Sequence, residues 1–263
     1  MNPLSVGNVV SAGLRIYRDN FKKYLKLAFF GYLWIFIPIY GWAKYSAMMG
    51  LLSRLAYGEV AEQPEAVKDA RRYIKPKMWD FFIAGLIVAL IIFGTIIPFS
   101  IILGIIIAVV GGILGDTGAV VSVILAILGI LLLIFGFIWL ISRLFLVELP
   151  LAIEENITAT STISRSWDLT KGYVGRIQLI VFIAFLISLP IVIVTNIVSI
   201  VLQGIITFGA ENVPGLAFIS VLVSFAVAIA SGALMIPFWQ SIKAVIYHDL
   251  RVRREGIGIN LRK

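Results

Sequence analysis

The sequence predicts an all-α integral membrane protein of about six membrane helices. The first two form a short hairpin that either crosses or re-enters, and amphipathic helices lie on the cytoplasmic side. Three observations predict this. Only 14% of the 263 residues are charged and 60% are hydrophobic, against about 25% charge in a soluble domain. The mean hydropathy is +1.03. Stretches without Asp, Glu, Lys or Arg cover 27–43, 81–115, 117–142, 177–210 and 212–242, and a charge at bilayer depth costs roughly 2.5–3.5 kcal/mol on insertion scales.

The chain opens on an amphipathic segment rather than a cleavable leader. Val6, Val10, Gly13, Tyr17 and Phe21 form a helical stripe, with Arg15, Arg18, Lys22 and Lys23 beside or off it. Residues 24–57 are too long for one span and short for two, and Pro38, Gly41 and Lys44 interrupt them. Charge decides their path. If the segment returns to its starting side, 21 of the 22 Lys and Arg residues share one side and only Lys44 is left over. The opposite turns then carry Asp116 and Glu211. That distribution predicts cytoplasmic N and C termini.

A second amphipathic segment follows. Pro64 suits a helix start, Val67, Ala70 and Ile74 make a stripe, and Lys68, Arg71, Arg72 and Lys75 lie off it. Glycine-rich turns at 111–118 and 208–215 then divide 79–151 and 177–248 into two hairpins. Between them a third amphipathic segment faces Ile163, Trp167 and Val174 one way. Such segments either lie in the membrane interface or pack as connectors on the bundle, and the basic flanks favour the interface.

The elements recur. Phe21 and Pro38, Phe81 and Pro98, and Tyr173 and Pro190 are each 17 residues apart. Trp139 and Trp239 each have a basic residue four positions on (Arg143, Lys243) and a glutamate sixteen on (Glu155, Glu255). The expectation is one membrane domain, 1–263, built from three parallel units at 4–60 (truncated), 64–155 and 157–256. Pro38, Pro98 and Pro190 are expected to kink helices.

Composition removes several chemistries. The absence of cysteine excludes disulfides, iron–sulfur clusters and thiolate zinc. His248 is the only histidine, so a bis-histidine haem is excluded, and no cofactor or metal is expected. His248-Asp249 resembles half a dyad, but no motif supplies a nucleophile, and no catalytic residue is expected. The net charge of +8 flanks apolar spans, so anionic lipid, not nucleic acid, is the expected counter-charge. The candidate basic surface is Arg15, Arg18, Lys22, Lys23, Lys68, Arg71, Arg72, Lys75, Arg251, Arg253 and Arg254. Glu154 and Glu155 are placed to pair with Arg165 or the C-terminal arginines. Asn196 and Gln203, seven apart, share a helix face as packing amides or as part of a polar path. No acid lies deep in a span, which argues against an ion-coupled pump.

Residues 246–256, IYHDLRVRREG, resemble the closing motif of the membrane domain that precedes some bacterial glycerophosphodiester phosphodiesterases. Residues 163–173, ISRSWDLTKGY, and 4–21 resemble segments of the same family. The resemblance implies a multi-helix bacterial membrane domain without the catalytic barrel. The expected function is a non-enzymatic accessory or scaffold protein of a bacterial plasma or internal membrane, binding anionic lipid and a membrane-protein partner or a second copy. A transporter or lipid-handling protein is the alternative.

Overall fold

The computed structural model describes residues 4–210 and 216–256, and every regular element among them is helical. The helices fall into three groups along the chain. The first triple is α1 (Val6–Asp19), α2 (Phe21–Leu33) and α3 (Tyr40–Val60). The second is α4 (Val67–Ile74), α5 (Met78–Ile113) and α6 (Gly115–Leu144), followed by the short α7 (Glu148–Ile153). The third is α8 (Ser161–Thr170), α9 (Val174–Ala210) and α10 (Leu216–Glu255).

Local chemistry sets the boundaries. Ser5 caps α1, its hydroxyl accepting from the Asn8 backbone N–H at 3.2 Å. The turn between α2 and α3 is where Pro38 sits, and this corrects the expectation of a helix kink there. Proline disfavours helical backbone in the residue before it. Ile37 is accordingly extended (φ −102°, ψ 108°), Ile39 takes φ +61°, and α3 starts at Tyr40. Gly41 has no room for a Cβ, because one would run into the Trp34 carbonyl oxygen. Pro98 and Pro190 do lie inside α5 and α9, and Pro237, not anticipated, lies inside α10.

Among the described residues, four helical stretches are long and apolar enough to cross a membrane: Val67–Ile113, Thr117–Ile153, Val174–Ile206 and Phe218–Glu255. The turn expected at 111–118 falls at Leu114–Gly115, with Gly115 at φ +55°. Most of the turn expected at 208–215, with Glu211, lies outside the described residues, as do Arg262 and Lys263. Large apolar side chains point outward along these helices; Leu90, Phe135 and Ile200 are 70%, 71% and 68% exposed. Apolar area of that extent is tolerated against lipid, not water. By contrast α2 has 13 residues, about 20 Å, against about 30 Å of hydrocarbon.

The packed core lies at the charged end of the molecule. Val10 and Tyr17 of α1, Tyr24 of α2, Leu52 of α3, Leu149 of α7 and Tyr247 of α10 belong to one buried cluster. A smaller cluster joins Ala84, Leu140, Leu144, Val147 and Ala159. Helix α10 is the centre, packed by α1, α2, α3 and α9.

The three short helices pack as connectors, which corrects the preference for lipid-facing stripes. On α1, Val9, Val10, Gly13 and Tyr17 are buried, and a Cβ on Gly13 would stand 3.1 Å from the Ile242 Cα. On α4, Ala70 and Ile74 are buried. On α8 the buried face is a hydroxyl ladder. Thr162 donates to the Val147 carbonyl at 2.5 Å, Ser166 to the Arg143 carbonyl at 2.9 Å, and Thr170 to the Ser166 carbonyl at 2.8 Å. Ile163 and Trp167 are half-buried beside it, Trp167 edge-on to Trp139 at 5.4 Å. The residues left facing out include Arg15 and Arg18 on α1 and Lys68, Arg71 and Arg72 on α4, but Ser164 and Asp168 on α8.

Candidate functional site

Two kinds of charge share the charged end. The first kind is tied into the fold. Asp249, 3% exposed, accepts from the Leu4 backbone N–H at 2.9 Å, from Arg176 at 3.0 Å and from Arg253 at 2.9 Å. One carboxylate thereby joins the start of the chain, the base of α9 and the end of α10. Beside it, Glu154 pairs with Arg165 at 3.0 Å and accepts from the Tyr247 hydroxyl, while Arg165 and Arg251 both reach Glu255, the latter at 2.9 Å. Burial opposes the charge on Arg165, but Glu154 and Glu255 more than offset it, and its affinity for the proton is raised. Lys243 pairs with Glu148 at 2.8 Å and Arg54 with Glu65 at 2.5 Å. Arg54 also donates to the Ala152 carbonyl at 2.9 Å. Lys77 donates to the Leu151 and Glu154 carbonyls at 3.2 and 3.1 Å, so a cation closes the C-terminal end of α7.

The second kind is exposed and has no carboxylate partner among the described residues. It includes Arg15, Lys22, Lys26, Lys68, Arg71, Arg72, Lys75 and Lys171. The basic surface expected from sequence therefore divides. Arg15, Lys22, Lys68, Arg71, Arg72 and Lys75 face out unpaired, and Arg18 meets only the neighbouring, exposed Asp19 at 3.1 Å. Lys23 pairs with Glu59 at 3.5 Å. Arg251 and Arg253 belong to the internal network. Arg254 donates to the Leu169 carbonyl at 3.0 Å and to the Lys171 carbonyl, holding α8 to α10. The C-terminal arginines are clamps, and the free positive surface comes mainly from α1, the start of α2, and α4 with the turn after it, with Lys171 at the end of α8.

The apolar helices carry little polar chemistry. Asn196 donates to the Val192 carbonyl at 2.7 Å and Gln203 to the Ser199 hydroxyl at 2.8 Å. Both bonds stay within α9 and both side chains face outward. Arg143, at the end of α6, is 5% exposed; its guanidinium lies 4.4 Å from the Trp167 ring centre, and its Nε has no hydrogen-bond partner. Lys44, set apart by sequence, stands over Trp34 at 3.5 Å and near Tyr40 at 4.8 Å. At the charged end a cavity of about 490 Å³ is lined by Arg15, Asp19, Glu59, Glu62, His248 and Asp249. No group of three or more His, Asp or Glu placed to hold a metal occurs among the described residues.

Sequence reasoning missed the hydroxyl ladder of α8, the Lys77 closure of α7 and the role of Leu4. The spacing of Thr162, Ser166 and Thr170 at four-residue intervals was a readable signal. Leu4 was not readable, because its backbone meets Asp249 across almost the whole chain. Comparison of the chain with family models, with curated proteins and with solved structures gives no match.

Proposed function

We propose that this protein is a non-enzymatic, multi-pass scaffold of a bacterial plasma or internal membrane, holding anionic lipid against a cytoplasmic basic face and serving a membrane-protein partner or a second copy. One observation carries the reading. The carboxylates Glu59, Glu65, Glu148, Glu154, Asp249 and Glu255 are engaged in ion pairs, while α1, α2 and α4 present unpartnered cations. Juxtamembrane cations of this kind contribute about 1 kcal/mol each toward an anionic leaflet. Both termini are placed in the cytoplasm with that face, and the short α2 makes the first hairpin re-entrant in this reading. The three helix triples are read as copies of one unit, and the resemblance to the phosphodiesterase membrane domain supplies the bacterial setting.

The transporter alternative drew on the Asn196–Gln203 face. Asn196 faces outward and bonds within its own helix, to the Val192 carbonyl, and the scaffold reading is preferred. The test reconstitutes the protein in nanodiscs containing equal phosphatidylglycerol and phosphatidylcholine, then analyses the lipid shell that stays with it. Enrichment of phosphatidylglycerol, reduced in a variant with Arg15, Lys22, Lys68 and Arg72 all changed to Gln, supports the reading. A shell of bulk composition in the parent protein overturns it.

A further inference from the structure

Between α2, α3 and α4 lies a cavity of about 690 Å³. Its wall is divided by chemistry. The apolar part is built by Leu27 and Phe30 from α2 and Trp34 just after it, by Met48 and Leu51 from α3, and by Ile74 from α4. The ionisable part is Lys26, Lys44, Arg71 and Lys75, and no acid lines it. None of Lys26, Arg71 and Lys75 has an ion pair or hydrogen bond among the described residues. Lys26, Phe30 and Trp34 recur every four residues, so they lie on one face of the helix over about 12 Å. Arg71 and Lys75, also four apart, bring their charges from α4 and the following turn to the same cavity.

A cavity with an apolar floor and only positive charge selects an amphiphile whose head is an anion. Water-soluble anions leave the floor uncovered, and neutral lipids leave three cations without a counter-charge. The position favours a lipid source. The cavity borders the 13-residue α2, a helix too short to cross the hydrocarbon, so lipid stands beside it.

We infer that this cavity is a binding site for one anionic phospholipid, its phosphate held by Lys26, Arg71 and Lys75 and an acyl chain laid over Phe30, Trp34 and Met48 toward Lys44. The inference rests on the anionic-lipid reading above and deepens it, adding one defined site to the basic surface.

The test is native mass spectrometry of the whole protein, extracted in mild detergent, delipidated, and titrated separately with phosphatidylglycerol, phosphatidylcholine and inorganic phosphate. One phosphatidylglycerol should bind first and survive the longest, with affinity about tenfold or more below parent in Lys26→Gln/Arg71→Gln/Lys75→Gln. Ala47 also lines the floor, and Ala47→Trp, which keeps every cation and fills the floor, should lose that lipid too. The Arg15→Gln/Lys22→Gln/Lys68→Gln/Arg72→Gln variant should keep it. Equal binding of phosphatidylcholine overturns the proposal, as does full displacement by millimolar inorganic phosphate. Equal loss in the surface variant overturns the site while leaving the broader lipid reading intact. Retention in the Lys26/Arg71/Lys75 variant, whose exposed positions tolerate Gln, overturns the site whether or not the Ala47→Trp protein folds.

Discussion

At the residue scale, Asp249 and Tyr17 are the side chains whose loss is easiest to read. Asp249 is buried and takes three donors, two of them guanidinium groups with about a fifth of their side chains exposed. Removing one partner of a buried pair leaves an uncompensated charge, worth roughly 3–5 kcal/mol. Asp249→Asn should cost about 3 kcal/mol, the low end because the arginines retain some water, and it should release the N-terminal residues to protease. Unfolding followed by circular dichroism in micelles, with limited proteolysis, checks both. Tyr17 donates to the Leu234 carbonyl at 2.9 Å, and burial pushes its phenol from about 10 up to about 12. The folded state thus favours the neutral phenol. Its contribution is complete below pH 10 and declines as pH rises from 10 to about 12. Tyr17→Phe should lose about 0.5–1.5 kcal/mol at neutral pH and lack that alkaline decline. The stability curves of parent and variant should draw together over that window, and parallel curves would contradict the assignment.

At the element scale, close approaches hold the short helices to the long ones. Helix α1 lies on α10 because Gly13 leaves no side chain between them; an added Cβ meets the Ile242 backbone at 3.1 and 3.2 Å. Backbone does not yield as a flexible side chain does, so Gly13→Val should cost about 1–3 kcal/mol and raise hydrogen exchange selectively in α1. Helix α8 is held differently, by hydroxyls satisfying carbonyls at the end of α6. Ser166→Ala takes the 2.9 Å donor from the Arg143 carbonyl, and the Thr170 hydroxyl lies closer to the residue 166 carbonyl, so the change should cost about 1–3 kcal/mol in thermal unfolding. Exchange that rises equally in α1 and α8 in both variants would mean that the two helices are not separately held.

At the scale of the whole molecule, a charged, cross-linked end carries two long apolar hairpins. Helix α5 has 36 residues and α10 has 40, about 54 and 60 Å, against about 30 Å of hydrocarbon. Helices longer than the bilayer tilt, kink or thicken it at a small cost per ångström. The thermal midpoint should therefore rise as acyl chains lengthen from 14 to about 20 carbons, and a fall over that series would contradict the membrane placement of these helices. The cysteine-free chain allows a clean topology test. Single cysteines at Arg15, Lys68 and Arg254 should react with an impermeant maleimide from one face of oriented vesicles and Gly112 from the other, with Ile39 protected from both.

The helical membrane class was legible in sequence because it follows from chemistry summed along the chain. Charge cannot be spared at bilayer depth, so charge-free stretches marked the four long helices before any contact was known. The α5–α6 turn was local enough to read in the same way. Periodicity showed that α1, α4 and α8 had two unlike faces, but a stripe does not name what covers it. Tertiary structure decided that, by placing the α1 stripe against α10 and a hydroxyl face of α8 against the end of α6. It also decided which cations are free. Arg253 and Arg71 are alike in sequence, yet the first meets Asp249 and the second lines an acid-free cavity. Pairing at 3 Å depends on elements far apart in the chain, and spacing carries no record of it.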